Sequence, residues 1–207
     1  MRAPTSWLAE LLGLTEVPAG VDVAAALVKV GLEEEGLYGG DIRGPIVVGR
    51  VLDKTDEAQK NGKTIHYCHV DVGNAEPQEI VCGAHNFAAG DLVVVVLPGA
   101  MLPGGFEISA RKTYGHTSAG MICSERELGL GQDHDGIIVL SRYLADRPEL
   151  LASLTPGQDA MGFLGLGEEV VEVNVTPDRG YCFSMRGIAR EYALATGRGE
   201  AFRDPVG

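Results

Sequence analysis

Apolar positions at the start of the chain recur at helical spacing. Trp7 and Leu11 lie one turn apart, as do Leu8 and Leu12, and Gly13 follows them. A helix opening near Thr5 or Ser6, either of which can cap it just after Pro4, is predicted to end at that glycine. Val23, Ala26, Leu27 and Val30 fall at i, i+3, i+4 and i+7, which predicts a second helix from Asp22 to a stop at Gly31. Two amphipathic helices in so short a stretch cannot bury a core by themselves. They need a partner from elsewhere in the chain.

The segment from Gly36 to Pro45, GLYGGDIRGP, reads as a linker. The periodicity then changes. Strand-like segments recur at Ile46–Leu52, Ile65–Val72, Pro77–Cys82, Leu92–Leu97, Phe106–Ala110, Gly120–Cys123 and Gly136–Leu140, most of them separated by Gly, Pro, Asn or Asp. That density of short strands and turns predicts a small barrel or sandwich. Ser124 and Glu127 have capping-box spacing, so a short helix is predicted at Ser124–Leu128. Tyr143–Leu154, with Pro148 inside it, is expected to be helical or irregular. Glu169–Val175 alternates, and Ser184 then caps a last helix carrying Met185, Ile188, Ala189 and Tyr192 and ending at Gly197. The helical ends are incomplete alone, whereas the β middle is self-contained. The expected α+β architecture is an insertion: residues 40–150 form a barrel, and residues 1–39 pack with residues 151–207 as a discontinuous α/β flanking domain.

Composition narrows the class. Apolar residues make up 45% of the 207 positions, which is ordinary for a globular chain. No stretch approaches the roughly 20 apolar residues of a membrane helix, and the opening lacks the long apolar core of a secretory signal, so no membrane partner and a cytoplasmic location are expected. The four cysteines form no CxxC pair and read as reduced structural thiols. A net charge of −12 argues against strong non-specific nucleic-acid binding. Any RNA contact has to come from a local patch.

Candidate chemistry is sparse. Lys54, Lys60 and Lys63 lie near one predicted strand connection, and Arg111 and Lys112 lie just past another strand. Together they could hold two or three phosphates, although Asp53, Asp56 and Glu57 dilute the first cluster, and a solvated loop is the plain alternative. Asn86 and the glycines around it could line an RNA path or simply build turns. Tyr67, Phe87 and Phe106 are possible base-stacking rings; Phe106 is expected in the barrel core, and Phe87 is left open. His66, Cys68, His69, Cys82 and His85 suggest zinc, but on a strand His66 and Cys68 share one face and His69 takes the other, so no metal site is expected. Asp133-His134-Asp135 reads as a polar turn between Gly131 and Gly136. No catalytic residue is assigned.

Four segments in order carry a resemblance: Met1-Arg-Ala-Pro-Thr-Ser-Trp-Leu with Val30-Gly-Leu-Glu; VDVGNAEPQEIVCGAHN from Val70; LPGAMLPGG from Leu97 with TSAGMICSERELGLGQDHDGI from Thr117; and VTPDRGYCFSMRGIARE from Val175. Each is weak alone, but as a set, spanning nearly the whole chain, they are specific. The chain resembles the bacterial phenylalanyl-tRNA synthetase β family. The resemblance implies that the middle is a five-stranded, partly open OB-fold of the tRNA-binding type, inserted into the small domain that it interrupts. It implies a non-catalytic, amino-terminal part of a ligase subunit, with tRNA and an α subunit as partners in a heterotetramer of two α and two β chains. ATP and magnesium are implied for the intact enzyme and no cofactor for this part. The chain is expected to stop near where an editing region begins. The competing expectation is an OB-fold kept for structure or protein assembly, with no RNA contact. Two departures stand out: Thr55–His66 lacks the His-Pro-Asn-Ala-Asp-Lys-Leu stretch common between the first two OB strands, although Ala58 and Lys60 align loosely with it, and Asp178 and Gly180 replace a common Asn and Pro.

Overall fold

The computed structural model describes residues 1–59, 62–132 and 135–202. Lys60, Asp133 and His134 lie outside the described residues. The chain divides into two compact units: Asp41–Leu166, and Met1–Gly40 with the described part of Gly167–Gly207.

The discontinuous unit holds a three-stranded antiparallel sheet in the order β1 (Arg2–Pro4), β12 (Glu169–Val173), β2 (Glu34–Gly39). Helices α1 (Thr5–Leu12), α2 (Gly20–Lys29) and α6 (Met185–Ala195) bury Leu8, Leu27 and Ile188 against Val171 and Val173, the two inward positions of β12. The predicted linker is therefore partly strand. Gly36–Gly39 pairs with β12, and Gly39 (φ 79°) approaches the Glu168 carbonyl so closely that a β-carbon would sit 1.9 Å from it. Gly39 serves close backbone approach here, not chain flexibility. No side chain caps α1, whose cap position is Pro4. The second helix starts two residues before Asp22, because the Gly20 N–H donates to the Glu169 carboxylate, an anion placed at the positive end of the helix. Ser184 caps α6 by accepting the Gly187 N–H at 3.1 Å. On the exposed sheet surface the Tyr38 hydroxyl donates to Glu172 at 2.5 Å and Arg2 lies 3.4 Å away; these partners hold the Glu172 carboxyl below its usual range.

The second unit is built on a five-stranded antiparallel sheet in the order β11 (Met121–Ile122), β6 (Leu92–Val96), β3 (Ile46–Ala58), β4 (Thr64–Asp71), β5 (Gln78–Cys82). β3 serves two neighbours: its first half pairs with β6, and from Arg50 onward it pairs with β4, with a register shift between Val51 and Asp53. β6 is buried on both faces, Val93 to Val96 all being inaccessible, as its uninterrupted apolar run requires. The β5 edge turns back on the segment before β11. Ala119 N–H donates to Glu79 at 2.8 Å, Val81 N–H donates to the Ser118 hydroxyl at 3.0 Å, and the Gln78 amide reaches the Ala119 carbonyl at 2.7 Å. The sheet is thereby nearly closed into an OB-type barrel within an α+β protein.

Between β6 and β11 run two small ladders, β7 (Met101–Leu102) with β8 (Phe106–Glu107) and β9 (Arg111–Thr113) with β10 (His116–Ser118). The later joint between units lies at Leu166/Gly167, where the sequence reading set it after residue 150. Gly157, Gln158 and Ala160 bond to the backbone of Ile46 and Val48, and Leu154, Ala160 and Leu164 enter the barrel core. Helices α3 (Leu140–Tyr143), α4 (Pro148–Ser153) and α5 (Met161–Leu164) belong to this unit. Ser124 and Glu127 make their reciprocal bonds, at 2.7 Å from the Ser124 N–H and 3.4 Å from the Glu127 N–H, but around a turn and not a helix. The predicted strand Gly136–Leu140 is reduced to one bridge, Val139 to Val93.

Gly187 yields a sign-reversing test. In an exposed helix, glycine to alanine gains about 1 kcal/mol. Here the new β-carbon would stand 2.1 Å from the Tyr181 carbonyl oxygen, where the 3-10 segment Pro177–Phe183 packs on α6. Gly187→Ala should lower the thermal midpoint; a raised midpoint would refute this packing.

Candidate nucleic-acid interface

In an OB barrel the second and third strands, with the connections between strands 1–2 and 4–5, form the usual surface for oligonucleotides. In this chain those strands are β4 and β5. The described part of the first connection is Gln59 with Gly62 and Lys63, and the other is the long segment carrying the β9–β10 hairpin. The hairpin is fixed over β4 by His116, whose Nε2 lies 2.9 Å from Glu57 and whose ring stacks on Tyr67 with centroids 4.0 Å apart. His69 meets Tyr67 edge-on at 5.2 Å and bonds Asp53 at 2.8 Å.

The two connections thus bound a groove of about 550 Å³, with Ile65 and Val81 in its lining and Lys63, His85, Thr113 and Tyr114 around them. None of its lining residues is acidic, although the chain as a whole is. A larger groove of about 790 Å³ runs from Val81 past Phe106 and Met121, but it carries Glu127 and Asp135 together with Arg126. Electrostatics therefore favours the smaller groove for a polyanion.

Tyr114 is its distinctive feature. Thr113 pairs with His116, so Tyr114 and Gly115 form a two-residue turn, and both have positive φ, 51° and 89°. This is the type I′ arrangement, which prefers Asn-Gly. A bulky residue at that first position is strained by about 1–3 kcal/mol. The turn nonetheless holds a half-exposed phenol ring at the groove rim, and a base could stack on such a ring.

The sequence-derived candidates separate. Lys63, Arg111 and Lys112 are exposed, Lys63 in the groove lining and the other two on β9. Arg111 stacks over Phe106 at 4.9 Å. Lys54 is turned to internal partners: its Nζ lies 3.3 Å from the Phe87 carbonyl, over the Phe87 ring, and 3.9 Å from Asp56. Asn86 uses both ends of its amide on Ile137, donating to its carbonyl at 2.8 Å and accepting its N–H at 2.9 Å. Lys60 falls outside the described residues. Phe106, expected in the barrel core, is 45% exposed, and Phe87, whose setting the sequence left open, is buried. Phe87 closes the barrel core beside Cys82 and Val51, whereas Phe106 follows a two-glycine turn that carries it outward.

Sequence reasoning missed Tyr114 and undervalued His85. The Tyr-Gly pair is a turn signal, but nothing in the sequence says that a phenol sits at positive φ. His66 is 1% exposed and lies between Asp56 (Nδ1 to Oδ1, 2.7 Å) and His85 (Nε2 to Nδ1, 2.8 Å). Among the described residues no group of three His, Cys, Asp or Glu is placed to hold a metal ion. All four thiols are free and buried; burial pushes Cys68 up to about 12 and raises the others, so none is a ready nucleophile. Among the described residues no helix is long and apolar enough to cross a membrane.

Residues 46–145 match the family model tRNA_bind, described as "Putative tRNA binding domain". The whole chain is similar to phenylalanine–tRNA ligase beta subunits. It is 57% identical over 220 residues to that of Leifsonia xyli subsp. xyli, covering 25% of the relative's length. It is 53% identical over 214 residues to that of Nocardia farcinica, covering 24%, and 42% identical over 254 residues to that of Tropheryma whipplei, covering 26%. The chain spans about a quarter of the length of these relatives.

The Asn86 clamp is testable. Asn86→Ala removes two hydrogen bonds and leaves two Ile137 groups unpaired, so it should cost about 2–3 kcal/mol in denaturant unfolding. A variant of unchanged stability but weakened RNA binding would instead make Asn86 an RNA ligand.

Proposed function

We propose that this chain, similar to the β subunits of phenylalanine–tRNA ligase over about a quarter of their length, is their tRNA-handling, non-catalytic portion, and that its barrel receives tRNA in the groove between residues 62–65 and 113–114. The observation that carries this reading is the strained Tyr114 beside Lys63, in a groove without acidic lining. Arg111 and Lys112 extend the positive edge along β9. The phenol supplies a stacking surface indifferent to base identity, and the lysines and arginine meet phosphates. In the intact enzyme, taken as two α and two β chains working in the cytoplasm, ATP and magnesium serve the joining of phenylalanine to its tRNA on parts outside this chain.

With only two or three phosphates engaged, binding should be weak and its salt dependence shallow, a log–log slope of about −1.5 to −3. Tyr114→Asn separates function from folding, because asparagine is at ease at positive φ. The variant should be at least as stable as the parent in thermal unfolding, yet lose about 1–3 kcal/mol of affinity for labelled tRNA in a titration at low salt. Equal binding by both proteins would remove Tyr114 from the interface. No binding by either, even at low salt, would assign the barrel to subunit assembly.

A further inference from the structure

The Asp56–His66–His85 chain opens into the same groove, and its hydrogen-bonding arithmetic has a consequence for what the groove binds. An ionised carboxylate only accepts, so the proton between Asp56 and His66 sits on His66 Nδ1. Neutral His66 then has a bare Nε2, and the proton in the second gap must come from His85 Nδ1. His85, which is exposed and lines the groove, is left with a bare Nε2, an acceptor. One added proton on that nitrogen turns it into a charged donor. The positive charge is compensated through the buried imidazole by Asp56, two hydrogen bonds away.

We propose that His85 is a phosphate-contacting residue of the groove, taking up one proton from solvent as an RNA phosphodiester oxygen docks on it, with His66 and Asp56 as the positioning and charge-balancing residues behind it. This rests on the groove reading above. The anionic oxygen needs a donor, and a neutral His85 held as an acceptor would repel it. Burial of His66 fixes the chain: the ring is 1% exposed, meets His85 edge-on at 4.7 Å and packs against Phe87 at 5.8 Å. Among the described residues, other charged and titratable groups stand near it. Lys54 shares Asp56 at 3.9 Å, the buried Cys82 thiol faces His66 in the β5 register and is held neutral by burial in the field of Glu127, and Lys63 lies in the same groove lining as His85. His69 and His116 have carboxylates of their own, Asp53 and Glu57, and lie outside the chain.

The test is a titration of the protein with tRNA at constant ionic strength from pH 8 to pH 6. If one proton is taken up on binding, affinity rises by up to tenfold per pH unit on lowering the pH and flattens once the free protein already carries that proton. His85→Gln should abolish that slope, and Asp56→Asn, at an exposed position, should reduce it, both variants being checked for folding by thermal unfolding. A slope that survives intact in His85→Gln overturns the proposal and transfers the effect to another histidine. PH-independent binding by the parent overturns it while leaving the groove reading in place. Absence of tRNA binding at every pH overturns both. In a parallel arm, the His85 ring resonances are followed by NMR with inorganic phosphate; a response equal to that given by tRNA at the same concentration overturns the assignment to RNA and makes the site one for free phosphate.

Discussion

The edge of β5 presents backbone groups on the side that β4 does not reach, and an unpaired strand edge is a liability. Here they are answered by Ala119, by the Ser118 hydroxyl and by the Gln78 amide. That short seam does more than close the barrel. Ser118 ends the β9–β10 hairpin, so fixing it against Val81 fixes where the hairpin can stand. His116, two residues earlier, then reaches Glu57 and Tyr67, and Tyr114 arrives at the rim of a groove lined by β4 and β5. The position of the candidate interface is a consequence of barrel closure.

The same dependence explains how an acidic chain can offer an anion-binding surface. Carboxylates near the groove are occupied: Asp53 by His69, Asp56 by His66 and Lys54, Glu57 by His116. Pairing does not erase their charge at neutral pH, but it ties each carboxylate to a neighbour on β4 or β10 and away from the lining. The groove itself retains Lys63, His85 and Tyr114. Attraction is local, which is why the expected binding is modest and short-ranged.

Much of the fold was legible in the residues. The valines of Glu169–Val173, the Ser184 cap and the apolar run Leu92–Val96 each appear as elements close to their expected bounds. β3 runs on to Ala58 through DKTDEA, a stretch whose charge reads as loop, because its pairing with β4 and not its own composition holds it extended. The site was less legible. The meeting of Asp56 with His66 depends on a register that shifts after Val51, and no periodicity argument fixes such a shift. The settings of Phe87 and Phe106 have the same origin: each is placed by what the chain does on either side of it. The OB character came from the family resemblance, since alternation alone could not tell barrel from sandwich.

The central claim is that tRNA occupies the groove between the two connections. Hydrogen–deuterium exchange of the protein with and without tRNA, read peptide by peptide, tests it most directly. The account predicts slowed exchange confined to residues 62–65, 81–85 and 111–116. Protection confined instead to the discontinuous unit, or to the larger groove around Phe106 and Met121, would contradict it.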